Sequence, residues 1–217
     1  MKKLTALFVL ILFMLMSILS AQGFGVKGGV NLGKFTGDDA ELFSDQLDEK
    51  FNFGYGGGIF LTLPIDPLEI RLEALYQQNG AKFEGEEEGA EGSYSVQLNW
   101  VDIPVLLGVK LGPVRLFAGP YIDYFIGGKM KMEFSYGDQT FDEEEDIEAD
   151  ELQSINYGVI GGAAFGVGGM ELEVRYSQGL NTLDKEPDDW DTAYGEYEKS
   201  DFKPSMIQAF LNIYLGN

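Results

Sequence analysis

Beyond its first two dozen residues the chain alternates apolar and polar residues in eight separate stretches, and a period of two marks a half-buried β-strand. The first stretch sets Phe24, Val26, Val30 and Leu32 against Lys27, Gly29, Asn31 and Gly33, and the second carries Phe51, Phe53, Tyr55, Ile59, Leu61 and Leu63. In the third, Leu68, Ile70, Leu72, Ala74 and Tyr76 oppose Glu69, Arg71, Glu73 and Gln77. The fifth has Val114, Leu116, Ala118, Ile122, Tyr124 and Ile126 against Arg115, Tyr121 and Asp123. The sixth (Tyr157 to Phe165), seventh (Met170 to Tyr176) and eighth (Ile207 to Leu215) repeat the pattern. The fourth, Tyr94 to Leu111, changes phase: Val96, Leu98 and Trp100 lie on one parity, Val101, Ile103, Val105, Leu107 and Val109 on the other. A bulge near Trp100 is expected to absorb that change. Pro104 sits inside the same stretch although it cannot donate to a ladder. Eight strands and no helix predict an all-β fold.

The connections alternate strictly between short and long. Pro64 to Pro67, Gly112-Pro113 and Gly168-Gly169 have tight-turn chemistry, whereas Phe35–Lys50, Gly80–Ser93, Met132–Gln153 and Asn181–Lys203 read as long loops. Short turns at one end and long loops at the other are the signature of an eight-stranded antiparallel up-and-down transmembrane β-barrel. Charge is partitioned to match, since 29 of the 36 acids fall in the four long connections. The apolar strand faces carry no charge, while Lys27, Glu69, Arg71, Glu73, Arg115, Asp123, Glu171, Glu173 and Arg175 share the opposite face. In lipid the apolar face must point outward, because a charge facing hydrocarbon costs about 2–4 kcal/mol at mid-depth.

Tyr55, Tyr76, Tyr94, Tyr124, Tyr157 and Tyr176 lie near the strand ends that adjoin the long loops, on the parity of their apolar neighbours. A bilayer interface favours such a girdle, because the ring is apolar and its hydroxyl stays wet. The alternative, a soluble lipocalin-like barrel with the apolar face inside, gives no reason for it. The amino terminus points the same way: Met1-Lys2-Lys3 followed by an apolar run from Leu4 to Leu19 and then Ser20-Ala21 reads as a secretory signal peptide. Sixteen residues at 1.5 Å each reach only about 24 Å, too short for a membrane-spanning helix. The expected organisation is a leader over 1–21 and a barrel domain over 22–217.

Composition narrows the chemistry. With no Cys and no His, thiol nucleophiles, Ser-His pairs and the usual zinc sites are excluded, and a formal charge of −21 argues against binding nucleic acid. Glu69 with Glu73, and Glu171 with Glu173, are paired carboxylates that could in principle run acid–base hydrolysis. Each pair has an Arg on its own face, however, and an eight-stranded barrel is just wide enough for its side chains to fill, so the pattern reads as an ionic plug. The acidic runs Asp142 to Asp146 and Asp184 to Asp191 could attract Ca²⁺ or Mg²⁺, but lack the spacing and Gly turn of an EF-hand and read as solvated charge.

Gly23 to Asn31, Arg71 to Gly80, Asn99-Trp100-Val101-Asp102-Ile103-Pro104-Val105-Leu106-Leu107, Ala118-Gly119-Pro120-Tyr121 and Glu171 to Leu180 together resemble the PorT-like outer-membrane β-barrel family of Bacteroidetes-type bacteria. The resemblance implies an eight-stranded outer-membrane barrel and brings no catalytic motif with it. No catalytic, cofactor-binding or metal-binding residues are therefore expected. The expected partners are outer-membrane lipid and lipopolysaccharide, with a protein partner at the extracellular loops and the barrel itself a monomer. A structural or surface-interaction role leads, a binding module or secretion-system component is the alternative, and a narrow pore would require an open lumen.

Overall fold

The computed structural model describes residues 23–37, 48–87, 90–136, 139–147, 154–183 and 201–216, so the expected leader lies outside the described residues. The strands are β1 (Phe24–Thr36), β2 (Asp48–Ile65), β3 (Leu68–Glu87), β4 (Ala90–Leu111), β5 (Val114–Tyr136), β6 (Gln139–Ile147), β7 (Ile155–Val167), β8 (Met170–Gly179) and β9 (Lys203–Tyr214). Eight of them close an antiparallel ring in chain order, β9 pairing back onto β1, while β6 stands outside the ring as a partner of β5. Closure leaves no strand edge facing hydrocarbon, which a bilayer requires because it offers no hydrogen bonds.

The register fixes the tilt. Following paired residues from Leu63 through Ile70, Leu107, Ala118, Gly161, Tyr176, Ile207 and Leu32 brings the path back to β2 at Phe53, ten residues nearer the amino terminus. Ten residues are roughly 33 Å of strand against roughly 38 Å of wall, a tilt of about 40°. The short turns fall where expected. Gly168 and Gly169 both have positive φ, 60° and 85°, which is the backbone of a two-residue turn matched to strand twist.

Three expectations need correction. Gly80–Ser93 is not a loop, because β3 continues to Glu87 and β4 resumes at Ala90, and much of Met132–Gln153 is strand as well, in β5 and β6. Acid-rich composition reads as loop, but the strand pairing continues through it. The second correction concerns phase: Leu98, Trp100, Asp102 and Leu106 of β4 are all buried on one face, with Val101, Ile103 and Val105 exposed on the other, so β4 never changes parity. The register does slip there, Asn99 facing Gly127 but Trp100 facing Phe125, and the extra residue is Ile126 of β5. The third follows from the second. Tyr94 shares the inward parity and packs beside Phe83, ring centroids 6.4 Å apart, so it leaves the girdle. Pro104 is accommodated in a continuous β4, whose pairing with β3 is interrupted between Val105 and Asp102.

Candidate functional site

All nine charged residues expected on one face are buried in the lumen, and Asp102 joins them. Asp102 lies opposite the outward-facing Val101 and Ile103, on the inward parity, and was passed over as a single charge in an otherwise apolar stretch; the apparent phase change misplaced Val96, Leu98 and Trp100 instead. Near the short turns, Glu69 meets Arg115 at 3.2 Å and Lys110 at 2.9 Å. One layer up, Arg71 bonds Glu171 at 2.9 Å and Arg115 bonds Glu173 at 3.0 Å. At mid-height Lys27 bridges Glu73 (2.9 Å) and Glu173 (2.8 Å), and Arg175 reaches Glu73 at 2.7 Å. Above these, Arg175 lies 3.5 Å from Asp102, which accepts from Gln77, and Asn156 donates to Asp123.

The pairing differs from the one sequence spacing suggests. Arg71 and Glu73 share a face two positions apart, yet Arg71 crosses the lumen to Glu171 while Glu73 takes Lys27 and Arg175. Neighbours at i and i+2 stand side by side along a strand, whereas long side chains meet across a narrow barrel. Each buried base also lies over an aromatic ring: Lys27 and Arg175 over Phe210, Arg71 over Phe60 and Arg115 over Phe117, all between 4.4 and 4.8 Å from the ring centroid. Neutral side chains complete the network. Asn212 donates to Glu173 at 2.8 Å, Gln208 accepts from Arg175 at 2.7 Å, and Tyr214 accepts from Arg71. Asn212, Gln208 and Asn156 occupy the inward parity of β9 and β7, a signal the sequence carries but charge counting passes over.

An apolar layer lies across the interior on the long-loop side. Phe35, Ala81, Phe83, Leu98, Trp100, Phe125, Ile147 and Leu183 form one buried cluster, in which the rings of Trp100 and Phe125 pack tilted at 49° with centroids 4.9 Å apart. At the opposite mouth a cavity of about 260 Å³ opens between the turns at Gly112 and Gly168, lined by Lys110, Arg115, Glu171 and Tyr214.

Outside, the wall is apolar, with Ile103, Leu107, Leu116, Ile122, Phe165, Leu172 and Val174 exposed. Five tyrosines edge this band. Tyr76, Val101 and Tyr124 form one row across β3, β4 and β5, and Tyr55 packs on Tyr76 at 6.0 Å. The hydroxyl of Tyr76 donates to Asn99 at 2.7 Å and that of Tyr176 to Gln178 at 2.6 Å, so polar amides begin where the apolar band ends. Beyond the belt, Lys131 bonds Glu144 at 2.8 Å and Lys129 bonds it too. These bonds, that from Lys129 first, hold the Glu144 carboxyl down at about 2. Asp142 to Asp146 therefore form a strand whose acids alternate between two faces, and among the described residues no three acids gather in a cluster suited to a metal.

The sequence model of the outer membrane protein beta-barrel domain matches residues 20–185. The chain belongs to that family. It is an outer-membrane β-barrel protein, with the polar face enclosed and the apolar face against lipid. Among solved structures it is similar to Neisserial surface protein A (12% identity, TM-score 0.45, covering 89% of this chain and 97% of that one). It is also similar to Ail, the attachment invasion locus protein of Yersinia pestis (10% identity, TM-score 0.42, covering 89% and 98%). A second Ail structure, in complex with the heparin analogue sucrose octasulfate, gives 14% identity and a TM-score of 0.43 over 89% and 98% of the two chains. No curated protein matches the chain in sequence.

Proposed function

We propose that this barrel is a closed, non-catalytic scaffold of the outer membrane that presents its acidic extracellular side to a partner. The observation that carries this reading is the filled lumen: interlocked ion pairs at every level beneath a layer of Trp100, Phe125 and Leu98. Each of Glu69, Glu73, Glu171 and Glu173 is engaged by a base, so none stands ready as a free general base toward a substrate. In this reading residues 1–21 are a cleaved leader, residues 22–217 are the mature barrel, and it works as a monomer among lipid and lipopolysaccharide. Planar-bilayer recording of the refolded protein tests it. Rare, small openings are expected, and a stable porin-like conductance would replace the scaffold with a transport pore.

A second reading, a PorT-like component of a secretion system, is supported by the segments Asn99 to Leu107 and Ala118 to Tyr121. Cross-linking in native membranes tests it: recovery of inner-membrane or periplasmic secretion components through the short-turn end favours this reading, and their absence favours the surface scaffold.

A further inference from the structure

β6 is an edge. It pairs along its whole length with β5, from Gly128 opposite Ile147 to Tyr136 opposite Gln139, and among the described residues no strand lies on its other side. A nine-residue edge standing beyond the lipid belt offers unpaired backbone groups to another chain. What that chain can be is limited by charge. Asp142, Glu143, Glu144, Glu145 and Asp146 occupy five of the nine positions, so both faces of the strand are acidic and a second copy of β6 would be repelled. The inner edge already shows what fits: β5 sets Lys129 opposite Asp146 and Lys131 opposite Glu144, with both lysines bonded to Glu144. Of the other four positions Gln139 and Thr140 are polar and Ile147 is buried, which leaves Phe141 and its partner Phe134 as an apolar pair exposed side by side.

We propose that the free edge of β6 binds an extended, lysine-rich polypeptide segment with alternating apolar residues, which adds to the sheet as a further antiparallel strand outside the membrane. Main-chain bonds supply the affinity, and the acids of β6 select the cation. The inference rests on the surface-scaffold reading and names the chemistry of its partner.

The test uses the full mature protein folded in nanodiscs and a labelled nine-residue peptide of alternating Lys and Val. Binding is read by fluorescence anisotropy, and its place by hydrogen exchange. The peptide should bind and slow the exchange of β6 amides, while a Glu/Val peptide should not bind. N-methylation of alternate peptide amides keeps every charge but removes donors, and should weaken binding by about tenfold or more. Glu143→Lys with Glu145→Lys, which leaves Glu144 and its two lysines in place, should weaken the Lys/Val peptide and admit the Glu/Val one. Equal binding of the N-methylated peptide, protection elsewhere than β6, or no binding at all overturns the proposal. Because the bilayer recording is independent, a silent barrel that ignores the peptide refutes only the edge site, and a conducting barrel that binds it refutes only the scaffold.

Discussion

Below the tyrosine belt the strands turn apolar side chains outward and charges inward, while just above it β4, and β5 as far as Lys131, do the reverse. On β4 one parity runs from Asp102 in the ionic network to Trp100, Leu98 and Val96 in or against the apolar layer, and the other from lipid-facing Val101 to Asn99 and Gln97. On β5 the extra residue at Ile126 brings Met130 against the apolar layer and sends Lys129 and Lys131 out to meet Glu144. The solvent accounts for the inversion. Hydrocarbon accepts only apolar atoms, so polar groups must find one another inside; water accepts charge, so apolar groups collapse inward instead. The level where polarity inverts therefore marks the membrane boundary.

The comparison breaks most sharply if one half is emptied of what its interior holds. Arg175→Ala leaves Glu73 and Asp102 short of a cation and should cost about 3–5 kcal/mol, as removing one partner of a buried pair does. Trp100→Ala, in the apolar layer, should cost a similar 3–5 kcal/mol for the cavity it opens. Urea unfolding in lipid vesicles, followed by the gel-mobility shift between folded and heated protein, measures both. Unchanged midpoints would mean that the interior is loose.

A charge placed on the outer wall separates the halves directly. Leu107→Arg, in the lipid-facing band, should destabilise by about 2–4 kcal/mol. Ser93→Arg, on the outward parity of β4 and opposite Glu133, should stay within about 0.5 kcal/mol of the parent. Equal costs at the two positions would displace the boundary drawn at the tyrosines.

Pairing across the lumen can be sharpened by double-mutant cycles. Arg71→Ala with Glu171→Gln should couple by about 0.5–3 kcal/mol, because the two side chains touch at 2.9 Å. Arg71→Ala with Glu73→Gln should couple less, since Glu73 is held by Lys27 and Arg175. The reverse order would restore the same-strand pairing that spacing suggests.

The smallest effect belongs to the hairpin outside. The carboxyl of Glu144 titrates near 2 when folded, below the ordinary carboxylate range, so its bonds to Lys129 and Lys131 support the β5–β6 pairing fully above pH 5. That support fades as pH falls from about 5 towards 2. Amide exchange in β6 should quicken over that window, and Glu144→Gln should remove the dependence while leaving the embedded barrel unchanged.

Alternation is a local property, so Phe24 to Leu32 or Met170 to Tyr176 declare their strands and faces without help from the rest of the chain. The tight turns are equally local, because Gly168-Gly169 supplies the backbone freedom that a two-residue connection needs. All nine charges that the sequence sets on one parity do reach the lumen. Which acid meets which base was beyond its reach, because that depends on the ten-residue stagger accumulated around the ring, and no single strand records it. Trp100 shows the same limit from the other side: its parity was plain, but whether that parity faced lipid or lumen was decided only when β3 and β5 paired on either side of β4 and an extra residue at Ile126 let the register follow.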